Sequence, residues 1–243
     1  MIIFLGGMKT QLFEPIKHYL LDSVFPLFCL VCQKEGIWMC EPCLQKISST
    51  PVVACPICHK NNQEGFCCSS CKGDSFLFRH FALYPYKNSH VIKKILHIFK
   101  YGFVEELGQT IANLIEKDLL IHRDKFINID MITFVPLHRR RFLERGFNQS
   151  EFIAEIVGLL LRKRVQNVLK RVRYTKQQAT LSRKKRVQNV RDVFTLEISK
   201  MVSGKNILLV DDVYTSGATM QECAKVLRKE GAKKVIGFSL ARG

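Results

Sequence analysis

The sequence predicts an α/β protein with a mostly parallel sheet, preceded by a small cysteine-rich module. Two observations predict it. Beyond about residue 77, short apolar runs alternate with segments of helical periodicity, the order a parallel sheet with helical crossovers requires. Ahead of them, nine of the ten cysteines fall between Cys29 and Cys71. Three regions follow: a helical leader over 1–28, the cysteine module over 29–75, and the α/β domain over 76–243.

In the leader, "HYLLDSVFPLFCLVC" is apolar but broken by Asp22 and Pro26, and reads as a short amphipathic helix that docks on a partner surface. "MIIFLGGMK" is too short, and lacks a preceding basic region, to read as a signal peptide. No run of about 18 uncharged apolar residues suggests a membrane span.

In the α/β region, residues 77–86 read as a strand. Residues 89–102 read as a helix, with Val91, Ile95 and Ile98 at helical spacing and Gly102 as C-cap. Residues 104–121 form a second helix, and 129–136 a strand stopped by Pro136. Residues 148–161 form a helix with Asn148 at the N-cap and Glu151 at N3, a capping box. Residues 165–172 are a candidate strand. "NILLVDD" (206–212) is a buried strand, 216–231 a helix closing on Gly231, and 233–241 the last strand.

The cysteines form four CxxC pairs: Cys29 with Cys32, Cys40 with Cys43, Cys55 with Cys58, and Cys68 with Cys71. A CxxC turn directs two thiolates at one tetrahedral ion, and two such turns complete a closed structural zinc site. Eight ligands suit two Zn²⁺ ions. Sequential pairing closes the shorter loops; a nested pairing is the alternative, and Cys67 could replace Cys68 as a ligand. Some forty residues with few large apolar side chains cannot build much of a core, so metal must supply folding energy. No HExxH or other His-rich constellation suggests a catalytic metal.

The stretch "ILLVDDVYTSGAT" (207–219) carries the chemistry. In open α/β sheets, ligands sit at the carboxyl ends of strands. Thr215, Ser216 and Thr219 offer hydroxyls, and the backbone N–H groups of a helix N-terminus form an anion cradle in which Gly217 permits close approach. Asp211 and Asp212 cannot bind that anion. They suit adjacent hydroxyl donors, such as a ribose diol, or hydrated Mg²⁺. A phosphate cradle one strand-end from diol acceptors describes a ribose 5-phosphate site. There is no GxxxxGK loop, and too little chain follows Asp211 for a response-regulator receiver. A purely structural turn would not leave two carboxylates at a buried strand end without a partner.

The stretch resembles the phosphoribosyl pyrophosphate (PRPP) motif of type I phosphoribosyltransferases, with Ser216 where many members carry Thr. Beyond it, "LLDSVFPLFCLVC", the cysteine pairs, "KYG", "VPLHRRRFLERGFNQSE" and "RVRYTKQQATLSRKKRVQNVRDVF" together resemble the ComF (ComFC) competence family along nearly the whole chain. The resemblance implies a type I phosphoribosyltransferase sheet behind a zinc-ribbon-like module. Asp211 and Asp212 would hold the ribose hydroxyls of PRPP; Thr215, Ser216, Gly217, Ala218 and Thr219 its 5-phosphate; Leu137, His138 and Arg139 its pyrophosphate with Mg²⁺. Arg145 is a candidate anion contact, and residues 173–191 match a loop that covers PRPP.

Charge points to polyanions as partners. The chain carries 38 Lys+Arg against 21 Asp+Glu, a formal net charge of +17. Residues 138–191 hold 16 Lys+Arg and only three acids, Glu144, Glu151 and Glu155. They include Arg139, Arg140 and Arg141; Arg162, Lys163 and Arg164; and Arg183, Lys184, Lys185 and Arg186. One pyrophosphate needs two or three cations. The excess reads either as a solvated basic face or as a track for single-stranded nucleic-acid phosphates, with Phe142, Phe147 and Tyr174 as thin aromatic interleaving. Two functions are expected: a DNA-uptake protein of natural transformation that binds PRPP and single-stranded DNA, with other uptake or recombination proteins as partners, or a metabolic phosphoribosyltransferase acting on a nucleobase or other acceptor. With no signal peptide or membrane span read from the sequence, the chain is expected in the cytoplasm, where thiols stay reduced, free or peripheral at the inner face of the membrane. His80, His90, His97, Cys223 and Trp38 are given structural roles. Lys100 in "KYG" matches the family without a derivable role.

Overall fold

The computed structural model describes residues 27–48, 50–62, 64–101, 105–175, 183–197 and 201–243. All but the last two residues of the expected leader, the Gly102 cap, and positions 176–182 of the expected covering loop lie outside the described residues. The strands are β1 (Val52–Val53), β2 (Arg79–Pro85), β3 (Met131–Phe134), β4 (Leu169–Arg171), β5 (Phe194–Leu196), β6 (Asn206–Tyr214) and β7 (Lys234–Arg242). The α-helices are α1 (Glu41–Lys46), α2 (His90–Tyr101), α3 (Glu105–Leu119), α4 (Arg139–Arg145), α5 (Gln149–Leu161), α6 (Arg183–Asn189) and α7 (Ala218–Lys229).

The main sheet runs β1-β2-β7-β6-β3. β2, β7, β6 and β3 are parallel, and β1 adds an antiparallel edge. β6 and β7 are nearly continuous apolar runs because both faces of a parallel sheet are covered. Alternation then divides their side chains. Leu208 and Val210 join the core formed with α2, α3 and α5, and Ile207 and Leu209 join the core formed with α7 and the β4–β5 pair. α2 buries Ile92, Ile95, Leu96 and Phe99, the i, i+3, i+4, i+7 stripe of an amphipathic helix. The stripe is centred beside Val91 and Ile98, which only pack against its edge.

Four local features depart from the sequence expectation. Only Leu169–Arg171 of the 165–172 candidate is a strand, and it pairs with β5 in a separate antiparallel ribbon. Residues 139–145 form a short helix, with His138 at its N-cap and Gly146 at φ +77° closing it. β6 runs past the two aspartates to Tyr214, because β7 is long enough to keep pairing there (Tyr214 with Arg242), and α7 begins at Ala218. Asn148 does cap α5, but its side chain accepts from the Ser150 N–H, at N2.

The cysteine segment is joined to the α/β domain. Its β1 hydrogen-bonds to β2, and Cys29, Met39, Cys40, Cys43 and Leu44 belong to the same core as α2 and α3. The compositional boundary near residue 75 is therefore no boundary in packing.

Candidate functional site

A cavity of about 460 Å³ opens at the carboxyl ends of β3 and β6. Its floor is the aspartate pair. Asp211 accepts from the Ser150 hydroxyl at 2.8 Å and from the Asp212 N–H at 2.9 Å. Asp212 pairs with the Lys100 ammonium at 2.8 Å and accepts from the Val213 N–H at 2.7 Å. The two carboxylates therefore titrate in opposite directions. Burial, then the neighbouring Asp212 charge, pushes the Asp211 carboxyl up to about 7. Burial acts the same way on Asp212, but Lys100 outweighs it and holds that carboxyl below the usual range. Burial likewise opposes the Lys100 charge, and Asp212 more than restores it. One acid held ionised beside one whose carboxyl is pushed up towards neutrality is what a pair of carboxyls with a single cation partner gives.

Three elements place these groups. α2 ends on Lys100 and Tyr101, delivering the ammonium to the sheet. α5 begins under the floor: the Asn148 side chain donates to the Val135 carbonyl at 3.1 Å, tying the helix start to the chain leaving β3 and setting Ser150 beneath Asp211. Gln149 accepts from Arg145 at 3.1 Å and donates to the Lys100 carbonyl at 3.5 Å, linking α4, α5 and α2. The cavity wall carries Lys100, Arg141, Arg145, Arg171 and Arg186 against the two aspartates, an electropositive setting suited to a polyphosphate.

Of the residues expected to bind PRPP, Asp211, Asp212, Thr215, Thr219, Leu137, His138 and Arg145 line this cavity. Ser216, Gly217 and Ala218 form the turn into α7 behind it. There the Ser216 hydroxyl accepts from the Ala218 N–H at 3.4 Å, and Gly217 adopts φ +76°. Arg139 lies on a neighbouring open hollow with Arg140.

The basic residues divide. Arg140 and Arg141 pair with Glu144 and stack on Tyr174, at 4.8 and 5.4 Å from its ring. Arg183, Lys184, Lys185 and Arg186 lie on α6, and Arg186 donates to the Thr215 hydroxyl at 3.1 Å. Arg162, Lys163 and Arg164 sit at the far end of α5, where the Arg164 carbonyl accepts from Ile132 near the start of β3. Between Ser150, on the cavity wall, and Arg162 the helix rises about 18 Å. The sequence pointed to neither Ser150, Gln149 nor Arg171, and gave Lys100 no role. The only trace of Lys100 was a cation at a helix end within "KYG".

The eight paired cysteines gather into two sets. Cys29, Cys32, Cys40 and Cys43 form one, and Cys55, Cys58, Cys68 and Cys71 the other; within each, all Sγ atoms lie within 4.8 Å of one another. Sγ–Sγ separations of 3.6 Å (Cys32–Cys40) and 3.7 Å (Cys29–Cys40, Cys58–Cys68) approach the ~3.8 Å that tetrahedral zinc with ~2.3 Å bonds sets between ligands. Both sets could hold a metal ion and are compatible with structural zinc. Cys67 stays outside, 4.0 Å from Cys55.

Residues 150–242, from α5 to β7, match the phosphoribosyl transferase domain family. DNA utilization protein YhgH of Escherichia coli O6:H1 is 32% identical over 155 residues, which cover 62% of this chain and 67% of that protein. The chain belongs to the ComF family. Competence protein ComFC of Bacillus subtilis is 27% identical over 245 residues, 90% of this chain and 97% of that one. Competence protein F of Haemophilus influenzae is 38% identical over 110 residues, so the match spans 44% of this chain and about half, 48%, of that relative. The ComF chain described here thus has the type I phosphoribosyltransferase fold, with two four-cysteine sets ahead of it.

Proposed function

We propose that the cavity binds PRPP with Mg²⁺, and that the chain serves DNA uptake by handling single-stranded DNA in the cytoplasm. One observation carries the ligand assignment: Asp211, Asp212, Thr215 and Thr219 share one electropositive cavity at the carboxyl end of β6. In this reading the cradle over 215–219 takes the 5-phosphate, the aspartates accept from the ribose hydroxyls, and Arg145, with the turn at Leu137 and His138, faces the pyrophosphate. Mg²⁺ would neutralise that pyrophosphate. Lys100 holds Asp212 ionised until the ligand arrives. The relatives' names, competence protein and DNA utilization protein, support the uptake role. Arg141 and Arg145 of α4 and Arg186 of α6, on the cavity wall, support a path for nucleic-acid phosphates, to which the distant 162–164 triplet would add only by a longer track.

Calorimetry tests the ligand. Asp211→Ala with Asp212→Ala should abolish PRPP·Mg²⁺ binding while the fold persists; unchanged affinity would remove the site from this cavity. A second reading, phosphoribosyl transfer to a planar acceptor, is favoured by Tyr86, His97, Tyr101 and Tyr174 on the cavity wall. Pyrophosphate release from PRPP and Mg²⁺ with a panel of nucleobases, compared with single-stranded DNA, separates the two.

A further inference from the structure

The second cysteine set and the phosphate cradle meet at Tyr214. Its side chain, 1% exposed at the carboxyl end of β6, donates its hydroxyl to the Pro56 carbonyl at 2.7 Å. Pro56 lies within the turn from Cys55 to Cys58, adjacent to a ligand of the second set. On the other side, a Cβ built on Gly217 would lie 2.1 Å from the same hydroxyl oxygen, so the cradle backbone rests directly on it. Gly217 is the N-cap of α7 and is held at φ +76°. One buried oxygen thus touches both a metal-binding turn and the turn that aims the cradle amides.

The surroundings strengthen the link. The Tyr214 ring lies 3.9 Å from the His80 ring and 4.9 Å from the Arg242 guanidinium. Arg242, 3% exposed, donates to the Ala54 carbonyl at 2.9 Å and to the Cys55 carbonyl at 2.7 Å. Four thiolates around one Zn²⁺ carry a net charge of about −2, a counter-charge for this buried cation. The first set is anchored elsewhere: it packs on the α2–α3 side of the core, and Lys117 donates to the Gln45 and Ile47 carbonyls just beyond it.

We propose that Tyr214 is a positioning residue through which metal in the second set orders the phosphate cradle. The ion fixes the Cys55–Cys58 turn, its Pro56 carbonyl fixes the tyrosine hydroxyl, and the hydroxyl supports the Gly217 turn. The amides of 215–219 are then aligned for an anion only while that set is loaded. Tyr214 does not line the cavity and touches no ligand. This rests on reading the cavity as a phosphate site and the second set as metal-bound. Linkage makes the coupling reciprocal, so metal and phosphate ligand raise each other's affinity by one factor.

Hydrogen exchange read by mass spectrometry on the zinc-loaded full chain tests it, with metal content measured alongside. Tyr214→Phe keeps the ring and removes the oxygen. It should raise exchange about tenfold in peptides covering the start of α7, where the Gln221 N–H donates to the Gly217 carbonyl, and 55–58, leaving 29–43 unchanged, the size expected for one lost buried hydrogen bond. Lys117→Met, beside the first set, should leave the cradle unchanged. Cradle exchange equal to that of the unaltered chain overturns the proposal. So does a rise spread evenly over the sheet, which is what lost global stability gives. Adding PRPP with Mg²⁺ to the unaltered chain judges the cavity separately: protection of 215–219 supports the ligand reading, and no protection defeats it, while the coupling stands or falls on Tyr214→Phe alone.

Discussion

At the scale of single residues, the site depends on two carboxyls sharing one ammonium. Asp211 is raised to about 7 and Asp212 is depressed. The sign for stability follows. Between pH ~4, the unfolded carboxyl value, and about 7, the folded chain holds a proton on Asp211 that the unfolded chain has released, so this group's contribution to stability falls as pH rises through that window. The ionised form accepts ribose hydroxyls more strongly than the neutral acid, so the diol favours it. PRPP binding near pH 6 should therefore release a proton from Asp211, detectable as a binding heat that varies with the buffer's ionisation enthalpy and is reduced in Asp211→Asn. Lys100→Met leaves the buried Asp212 without its cation, and should cost about 1–3 kcal/mol in denaturant unfolding. "VDDVYTSGAT" showed the aspartates and hydroxyls in the sequence because one strand and its following turn bring them together. Lys100, Ser150 and Arg171 reach the same cavity from three other elements, and no local pattern marks Lys100 or Ser150, whose aspartate partners lie 61 or more positions away.

At the scale of elements, the turn from β6 into α7 is constrained where Gly217 meets the Tyr214 hydroxyl. Gly217→Ala places a Cβ against the Tyr214 hydroxyl at φ +76°, and should lower stability by more than ~1 kcal/mol and weaken PRPP binding. Asn148→Ala removes both the α5 cap and the bond to the Val135 carbonyl; a loss of about 1–2 kcal/mol in thermal unfolding is expected, with Ser150 displaced from Asp211. The long elements were legible in sequence because period and length agree over ten or more residues, as in α2 and α5. The short ones were not. β1 has two residues and β4 and β5 three each, too few to display a period, and pairing between distant segments defines them. α4 went unread because "RRRFLER" buries no residue and so shows no apolar stripe.

At the scale of the whole molecule, cysteine sets, sheet and cavity form one connected structure: β1 joins the main sheet, and Tyr214 and Arg242 tie its carboxyl end to the second cysteine set. Stripping metal with a strong chelator should therefore lower the melting temperature of the entire chain, and not merely unfold residues 29–75. Sequence spacing yielded the two cysteine sets; their attachment to the strand ends was invisible in it, because Pro56 and Tyr214 lie 158 positions apart. The basic belt read from the sequence as one block is divided in space. Neutralising Arg183, Lys184, Lys185 and Arg186 should weaken single-stranded DNA binding and flatten its salt dependence, whereas neutralising Arg162, Lys163 and Arg164 should do less; gel shifts at several salt concentrations measure both. In the proposed function, the cavity at the carboxyl end of β6 holds a ribose 5-phosphate. A crystal structure of the zinc-loaded chain with PRPP and Mg²⁺ tests it most directly. The 5-phosphate is expected on the amides of 215–219 and the ribose hydroxyls on Asp211 and Asp212; a phosphate bound elsewhere, with the aspartates still occupied only by Lys100 and Ser150, would contradict that site.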